Sequence, residues 1–170
     1  MRFYLIGLLM LQFLLNACST AQTEPIPDWS SEEEQKAFLA TIDQYSDGEK
    51  SYNGPYNQFE FRSTLLNTTI RKAQLSRQAR YYRWEEPRLA SEVDKSLQEA
   101  NVETSVFVSF FTPFKKNDNL PDGNSIWRVF IEAGGKRYDG KVKRDKRLFA
   151  ELETLFPYHE RWGSAYLMKF

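Results

Sequence analysis

The first patterned stretch of the chain repeats its apolar residues at the spacing of a helix. The apolar positions are Phe38, Leu39, Ile42 and Tyr45, which share one side at that spacing. Two serines and then three glutamates come just before them. This order suits a hydroxyl cap followed by carboxylates at the positive end of the helix dipole. Glycine commonly follows the last helical turn, so we expect this helix to end at residues 47–48.

Two more helices are expected in the middle of the chain. Residues 69–84 are rich in helix formers, and one side of this segment carries Ile70, Ala73, Arg77 and Tyr81. Proline is well tolerated in the first turn of a helix, so Pro87 is expected to begin the next one. The inner face of that helix is predicted to carry Leu89, Val93, Leu97 and Ala100.

A period of two takes over in other segments and predicts strands. Residues 52–55 contain a glycine and a proline and are expected to form a turn, and residues 59–65 then alternate apolar and polar side chains. Residues 106–111 are apolar on nearly every position, which is typical of a central strand that is covered on both faces.

The last third of the chain is predicted to be mostly sheet. Residues 127–132 alternate, Gly134 and Gly135 supply the positive φ angles of a hairpin turn, and residues 138–143 are expected to form the return strand. A short helix over residues 146–155 would be stopped by a following proline. Its inward residues are predicted to be Leu148, Phe149, Leu152 and Leu155.

A final strand is expected over residues 164–170, where apolar residues again alternate. Together these segments predict an α+β fold: a mostly antiparallel sheet of about five strands, with three to four helices packed on it. We place this single globular domain at residues 30–170. Residues 19–29 are polar, contain two prolines and show no periodicity, so we expect a flexible tether there.

The first eighteen residues follow a different pattern. Arg2 is the only charged residue before Glu24, and residues 3–15 are almost entirely apolar. At 1.5 Å per residue this run is about 20 Å long as a helix, shorter than the roughly 30 Å hydrocarbon core of a bilayer. A basic start, a short apolar run and a small residue at its end are the layout of a secretory signal peptide.

The end of this segment, Leu15-Asn16-Ala17-Cys18, resembles the lipobox of bacterial lipoproteins. The resemblance implies that residues 1–17 are a signal peptide removed after Ala17 and that Cys18 is acylated. Two or more acyl chains anchor a protein stably, so residues 18–29 would be lipid anchor and tether. Ser19 follows the cysteine, and the family's sorting tendency then favours the bacterial outer membrane.

Composition removes several classes of function. Cys18 is the only cysteine, so neither a disulfide nor a thiolate metal site can form. The chain holds 23 basic and 23 acidic residues, which gives no overall field that would attract nucleic acid. The basic residues are nevertheless concentrated in one segment. It contains Lys136, Arg137, Lys141, Lys143, Arg144, Lys146 and Arg147.

This basic segment is the one candidate binding surface that the sequence offers. Lysine and arginine side chains on a strand and its following turn could contact an anionic polymer, lipid headgroups or an acidic protein surface. The alternative is a solvated edge strand, where charges prevent edge-to-edge pairing with another chain. Both interpretations remain open at this point.

Catalytic and metal motifs are incomplete. His159 is the only histidine, and it is expected in a surface loop whose aromatic residues pack under the sheet. Residues 117–124 superficially resemble a calcium loop, but Leu120 stands where an oxygen ligand is needed, so a long turn is favoured. We expect no cofactor and no metal.

The function predicted from the sequence is therefore a lipid-anchored envelope protein that binds a partner or has a structural role, and not an enzyme. The membrane would be reached through the lipid on Cys18. The alternative is a hydrolase of envelope polymers that uses a pair of carboxylates, with Glu85, Glu86 and Glu160 as candidates. Paired acids are recognised by their separation in space, so the sequence does not select the pair.

Overall fold

A computed structural model describes residues 31–170. The predicted signal peptide, the lipobox and the whole of the tether lie outside the described residues. Within these residues there are four α-helices, α1 (Glu32–Gln44), α2 (Thr68–Tyr81), α3 (Glu86–Val102) and α4 (Phe149–Leu155), and one short 3₁₀ helix (Lys115–Asn117). None of the helices within residues 31–170 is long and apolar enough to cross a membrane.

Seven strands accompany these helices in the described part of the chain. They are β1 (Ser46–Asn53), β2 (Tyr56–Leu65), β3 (Ser105–Phe111), β4 (Phe130–Ala133), β5 (Lys136–Asp139), β6 (Lys141–Arg144) and β7 (Ser164–Lys169). Five of the strands form one sheet in the order β1-β2-β3-β7-β6, in which all neighbours are antiparallel. Strands β4 and β5 pair only with each other, as a separate hairpin. The predicted α+β fold with a mostly antiparallel sheet is confirmed.

Local sequence signals explain where the helices begin. At α1 the Ser31 hydroxyl accepts a hydrogen bond from the Glu34 amide at 3.1 Å, and the Glu34 carboxylate accepts one from the Ser31 amide. This capping box satisfies two amides that have no partner within the helix. The Asn67 side chain caps α2 by accepting from the Ile70 amide at 2.9 Å, and Pro87 lies in the first turn of α3.

Alternate residues of the central strands separate the core into two layers. On one side of the sheet, Phe107 and Ala165 pack against α4 and the residue that follows it, Phe156. Helices α1 and α2 add a cluster of Phe38, Ile42 and Ile70. We call this side the helical face.

The opposite side of the same strands is covered by a long connection and not by an α-helix. Val108 and Phe110 of β3 and Tyr166 and Met168 of β7 pack there with Leu120, which belongs to the long connection between β3 and β4. We call this side the loop face. The prediction that β3 is a central strand with two apolar faces is confirmed.

The expected end of the first helix at residues 47–48 is wrong. Strand β1 begins at Ser46 and includes both residues, and Gly48 lies opposite Arg62 of β2. A Cβ atom at Gly48 would clash with the carbonyl oxygen of Phe61, so the glycine here permits a close strand approach instead of a helix end. Strand β1 has no fully buried residue, and therefore it lacks the alternation that marks the other strands.

Three predictions in the last third need correction. The strand expected over residues 127–132 begins only at Phe130, because residues 127–129 belong to the preceding connection. The return strand expected over residues 138–143 is two strands that part at Gly140: β5 stays in the hairpin, whereas β6 pairs with β7 in the main sheet. Helix α4 begins at Phe149 instead of at residue 146, and Leu148 is 78% exposed instead of facing inward. The glycine turn itself is confirmed, since Gly134 and Gly135 have φ angles of 58° and 73°.

Candidate functional site

The seven basic residues between 136 and 147 do not form one surface. Lys136 and Arg137 lie on the hairpin, whereas residues 141–147 lie on β6 and on the segment that leads to α4. Each of the three arginines has an acidic partner. The pairs are Arg137–Glu132 at 3.0 Å, Arg144–Asp118 at 2.6 Å and Arg147–Asp145 at 2.6 Å.

The lysines of this segment differ from the arginines. Within residues 31–170, the side chains of Lys136, Lys141, Lys143 and Lys146 have no ion pair and no hydrogen bond. Two of them, Lys143 and Lys146, border a cavity of about 540 Å³ on the helical face. The cavity lies between helices α2 and α3 on one side and strands β6 and β7 on the other.

Ionic side chains of both signs surround this space, which we call the basic cavity. Its basic residues are Arg71, Lys143, Arg144, Lys146, Arg147 and Lys169, and its acidic residues are Glu99, Glu103 and Asp145. The Arg144 guanidinium is bound to Asp118, Ser164 and the Tyr166 hydroxyl, all of which lie outside the cavity lining. It therefore contributes no charge that an occupant of the cavity could use.

Each acid of the basic cavity is paired with one of the remaining cations. Arg147 binds Asp145, Lys169 binds Glu103, and Arg71 lies 3.7 Å from Glu99. Burial raises the pKa of the Asp145 carboxyl, but hydrogen bonds from Arg147 outweigh it and hold that pKa below its usual value. The carboxylate therefore stays charged and neutralises Arg147. Lys143 and Lys146 remain as two uncompensated positive charges.

His159 is buried, not in a surface position, with only 5% of its surface exposed. Its Nδ1 atom lies 2.8 Å from the Ser109 hydroxyl oxygen on β3. Burial lowers the pKa of the imidazole, and the charge of Asp145 opposes that effect only in part. The aromatic neighbours behave as predicted, because Phe156 and Tyr158 both pack against Phe107 under the sheet.

This Ser109–His159 pair resembles two members of a nucleophilic triad, and sequence reasoning missed it. A triad also needs a carboxylate that is hydrogen-bonded to the second imidazole nitrogen. The nearby acid, Asp145, directs its side-chain oxygens to Arg147. The two residues lie fifty positions apart, so no local spacing could have indicated the contact.

The three predicted catalytic carboxylates do not come together. Glu85 and Glu86 lie exposed at the start of α3. Glu160 borders a different space, a cleft of about 530 Å³ that Glu60 and Trp162 also line. Glu60 forms an ion pair with Lys50 at 2.5 Å. The structure thus brings Glu160 near a carboxylate that the sequence did not single out.

The loop that resembles a calcium site has a structural role. The Asp118 carboxylate accepts hydrogen bonds from Ser164 at 2.6 Å, Tyr166 at 2.7 Å and Arg144 at 2.6 Å. These donors tie the loop to β6 and β7. Nowhere in residues 31–170 do three or more histidine, cysteine, aspartate or glutamate side chains form a group that could hold a metal ion.

A third space lies on the loop face, beneath the β4–β5 hairpin. We call it the apolar groove. Its volume is about 450 Å³, and Ser63 and Arg128 are the polar residues in its lining. The alternation in β2 and β3 does predict that the apolar side chains of these two strands, which line the groove, face the interior. It does not reveal that the covering segment leaves a space above them.

Comparison with known proteins finds no matching family model, no matching curated protein and no matching solved structure. The function of the chain therefore has to follow from its own residues.

Proposed function

We propose that this protein is a lipid-anchored module of the bacterial outer membrane that binds an anionic partner and catalyses no reaction. The basic cavity is the proposed site. The observation that carries the proposal is the surplus of Lys143 and Lys146 over the acids that line the same space. The partner is an anionic polymer or an acidic protein surface.

Electrostatics supports an anion in this position. A concave site with walls of low dielectric constant focuses the field of its charges and raises the local concentration of counter-ions. Arg71 and Arg147 are already oriented, the first by the Leu66 carbonyl at 2.8 Å and the second by Asp145. An entering phosphate, sulfate or carboxylate would therefore meet two free ammonium groups beside two fixed guanidinium groups.

The resemblance of residues 15–18 to a lipobox supports the membrane part of the proposal. Acyl chains on Cys18 would hold the protein at the bilayer without crossing it. The tether of eleven residues, at about 3.3 Å each, would allow the domain to move up to roughly 35 Å from the surface. Such a protein can reach a polymer that lies near the membrane.

Mass spectrometry tests the anchor. The full chain is expressed in a bacterium with its own N-terminus, and the N-terminal peptide is analysed. We expect an acylated Cys18 as the first residue and recovery in the membrane fraction. A Cys18→Ser variant should lose the acylation and should not begin at residue 18. An unmodified chain that begins at Met1 would contradict the proposal.

Salt-dependent binding to polyphosphate tests the basic cavity. We compare a Lys143→Ala/Lys146→Ala variant with a Lys136→Ala/Lys141→Ala variant, which loses the same charge outside the cavity. The first pair should weaken binding at least about tenfold, or about 1.4 kcal/mol, and the second less than twofold. Equal losses would show that only net charge matters.

One observation favours the alternative of an envelope-polymer hydrolase. Glu160 shares its cleft with Glu60 and with the exposed indole of Trp162, and aromatic and carboxylate groups together suit a sugar polymer. Release of soluble fragments from purified cell-wall polymer, abolished by Glu160→Gln, would support this function. If the unmodified protein releases no fragments, the hydrolase alternative is wrong.

A further inference from the structure

The apolar groove differs from the other spaces in its chemistry. Its walls include two aromatic residues of β2, Phe59 and Phe61, and Phe110 of β3. Trp127 meets two of these rings edge to face, at 5.1 Å from Phe59 and 5.3 Å from Phe110. A space of this size with such walls favours an apolar ligand, because water inside it finds few hydrogen-bond partners.

The hairpin above the groove is attached differently from the loop that precedes it. The loop is fixed by Asp118 and by the Trp127 indole, which donates to the Asn117 carbonyl at 2.7 Å. Within the described chain, the hydrogen bonds and ion pairs of residues 130–139 stay inside the hairpin or reach Arg128 beside it. Its two ends meet where the Gly140 amide donates to the Val129 carbonyl at 3.3 Å.

Gly140 is the position where the hairpin leaves the main sheet. The ring of Phe170 occupies the space that a Cβ atom at this glycine would need. Val129 and Gly140 therefore form a narrow base. Beyond it Phe130 and Ile131 border the groove, and within the described chain no hydrogen bond or ion pair joins the hairpin to the main sheet. Such a segment can separate from the sheet without breaking a hydrogen bond to it.

We propose that the apolar groove binds the acyl chain of one long-chain fatty acid and that the β4–β5 hairpin closes over it. This site lies on the loop face, whereas the basic cavity lies on the helical face. The proposal is therefore independent of the anionic partner and of the lipid on Cys18.

The size of the groove favours a single chain. A methylene group is close in size to a water molecule, which occupies about 30 Å³ in the liquid. A volume of about 450 Å³ thus accommodates about fifteen such groups, which corresponds to one long acyl chain. A lipid with two chains would need about twice that space.

The charge at the rim favours a carboxylate at the end of the chain. Arg128 borders the groove, and its side chain is 70% exposed. Its ion pair with Asp139 spans 3.3 Å between two exposed groups, which is a weak interaction in water. The guanidinium is therefore able to exchange this partner for the carboxylate of a ligand.

A peptide is a poor occupant for the same space. Strands β2 and β3 have hydrogen-bonded neighbours on both sides, so their backbone groups are already satisfied. A peptide in the groove would bury its own amides and carbonyls against aromatic rings, without the partners that such groups require. A hydrocarbon chain has no such requirement.

Displacement of a fluorescent fatty acid tests the proposal. The full chain carrying Cys18→Ser, which has no attached lipid, is freed of co-purified lipid and titrated with cis-parinaric acid. We expect one bound probe per chain and its displacement by palmitate but not by a diacyl phosphatidylglycerol. Failure of palmitate to compete, or stronger competition by the diacyl lipid, would overturn the single-chain site.

Two hairpin variants test the location. Ile131→Asp places a charge in the groove lining, whereas Ala133→Asp places the same charge at the exposed tip of the hairpin, outside the groove lining. The first should weaken palmitate binding at least tenfold and the second less than twofold. Equal effects would overturn the assignment of the site.

A variant of Arg128 tests the proposed contact with the ligand carboxylate without changing the apolar wall of the groove. Arg128→Gln should weaken palmitate about fivefold and leave hexadecanol, which lacks the carboxylate, unchanged. Equal changes for both ligands would overturn the role of Arg128. Sedimentation of the ligand-free protein as a dimer that palmitate does not dissociate would identify a second copy as the occupant.

Discussion

The two faces of the five-stranded sheet are covered by different means. On the helical face, three helices bring apolar side chains to the sheet while their own backbone groups remain hydrogen-bonded within each helix. On the loop face, the sheet is covered by a long connection that contains one short 3₁₀ helix and no α-helix or strand, and side chains such as Asp118 hold this connection in place. The central strand β3 contributes buried side chains to both faces.

This difference explains why the two cavities have opposite chemistry. Between α2, α3 and the sheet, polar and charged side chains fill the margin of a closed core, and the space there is basic. Beneath the hairpin, no α-helix packs its apolar side chains against the sheet, so the aromatic residues of β2 and β3 border the apolar groove. The sheet has apolar side chains on both sides. The segment that covers each side determines whether those side chains are packed in a closed core or border a groove.

The largest expected difference between the faces is in the free energy of unfolding. Phe156 is fully buried and its ring lies 3.5 Å from that of Phe107, in parallel. Replacing it by alanine should cost about 3–5 kcal/mol, because a large cavity is left in a closed core. Urea unfolding followed by circular dichroism measures this loss.

Phe130→Ala on the hairpin is the matched control. Phe130 is 36% exposed, and its ring contacts the Arg137 guanidinium at 3.7 Å instead of a closed core. This variant should lose less than about 1 kcal/mol. A similar loss in both variants would contradict the contrast between the faces.

The anchor of the loop face should give the next largest effect. Asp118→Ala removes one acceptor that binds Ser164, Tyr166 and Arg144. Hydrogen bonds to charged groups contribute about 1.5–3 kcal/mol each, although the donors regain water in the variant, so we expect a net loss of about 2–3 kcal/mol. Asp122→Ala, in the same loop but exposed, should leave the urea midpoint unchanged. No loss in the first variant would show that other contacts hold the loop.

A smaller effect is expected at alkaline pH on the helical face. Burial raises the pKa of Tyr158 to about 12, although Thr64 and Arg62 act in the opposite direction. Between pH 10 and 12 the unfolded chain has lost a proton that the folded chain retains, so stability falls as the pH rises through this window. Tyr158→Phe should show a shallower decline in urea unfolding above pH 10, and a slope equal to that of the unmodified protein would refute this assignment.

The smallest effect on stability is expected at mildly acidic pH. Burial lowers the pKa of His159 from its ordinary value of 6.5, and the charge of Asp145 offsets this in part. Below that value the unfolded chain binds a proton more readily than the folded chain, so stability is lost as the pH falls from 7 towards 5. His159→Gln should flatten this part of the urea midpoint profile, and an unchanged profile would mean that other groups control it.

Sequence reasoning succeeded where a local pattern reflects burial directly. The stripe that contains Phe38 and Ile42, the apolar run of β3 and the paired glycines of the hairpin all occupy the predicted elements. Strand β1 was missed because an exposed edge strand needs no apolar alternation, and its residues from Ser46 to Asn53 show none. Apolar alternation indicates that one face of a strand is buried, so it does not detect a strand that is exposed on both faces.

The candidate sites were harder to predict because they depend on distant partners. The basic segment was predicted either to bind an anionic partner or to be a solvated edge strand. The sequence did not show that Arg144 is neutralised by Asp118, 26 positions away, or that strand alternation directs Arg144 away from Lys143. The apolar groove exists because the segment that covers the loop face leaves a space above the apolar side chains of the sheet. No property of Phe59 or Trp127 alone indicates such a gap.

Hydrogen–deuterium exchange of the full chain, resolved by peptide and measured with and without palmitate, tests the contrast between the faces most directly. We predict that amides of the β4–β5 hairpin exchange at least about a hundredfold faster than those of β3 and β7, because the hairpin opens locally. Palmitate should slow the hairpin alone. Hairpin amides as protected as those of β3, or palmitate that leaves the hairpin unchanged, would contradict the account.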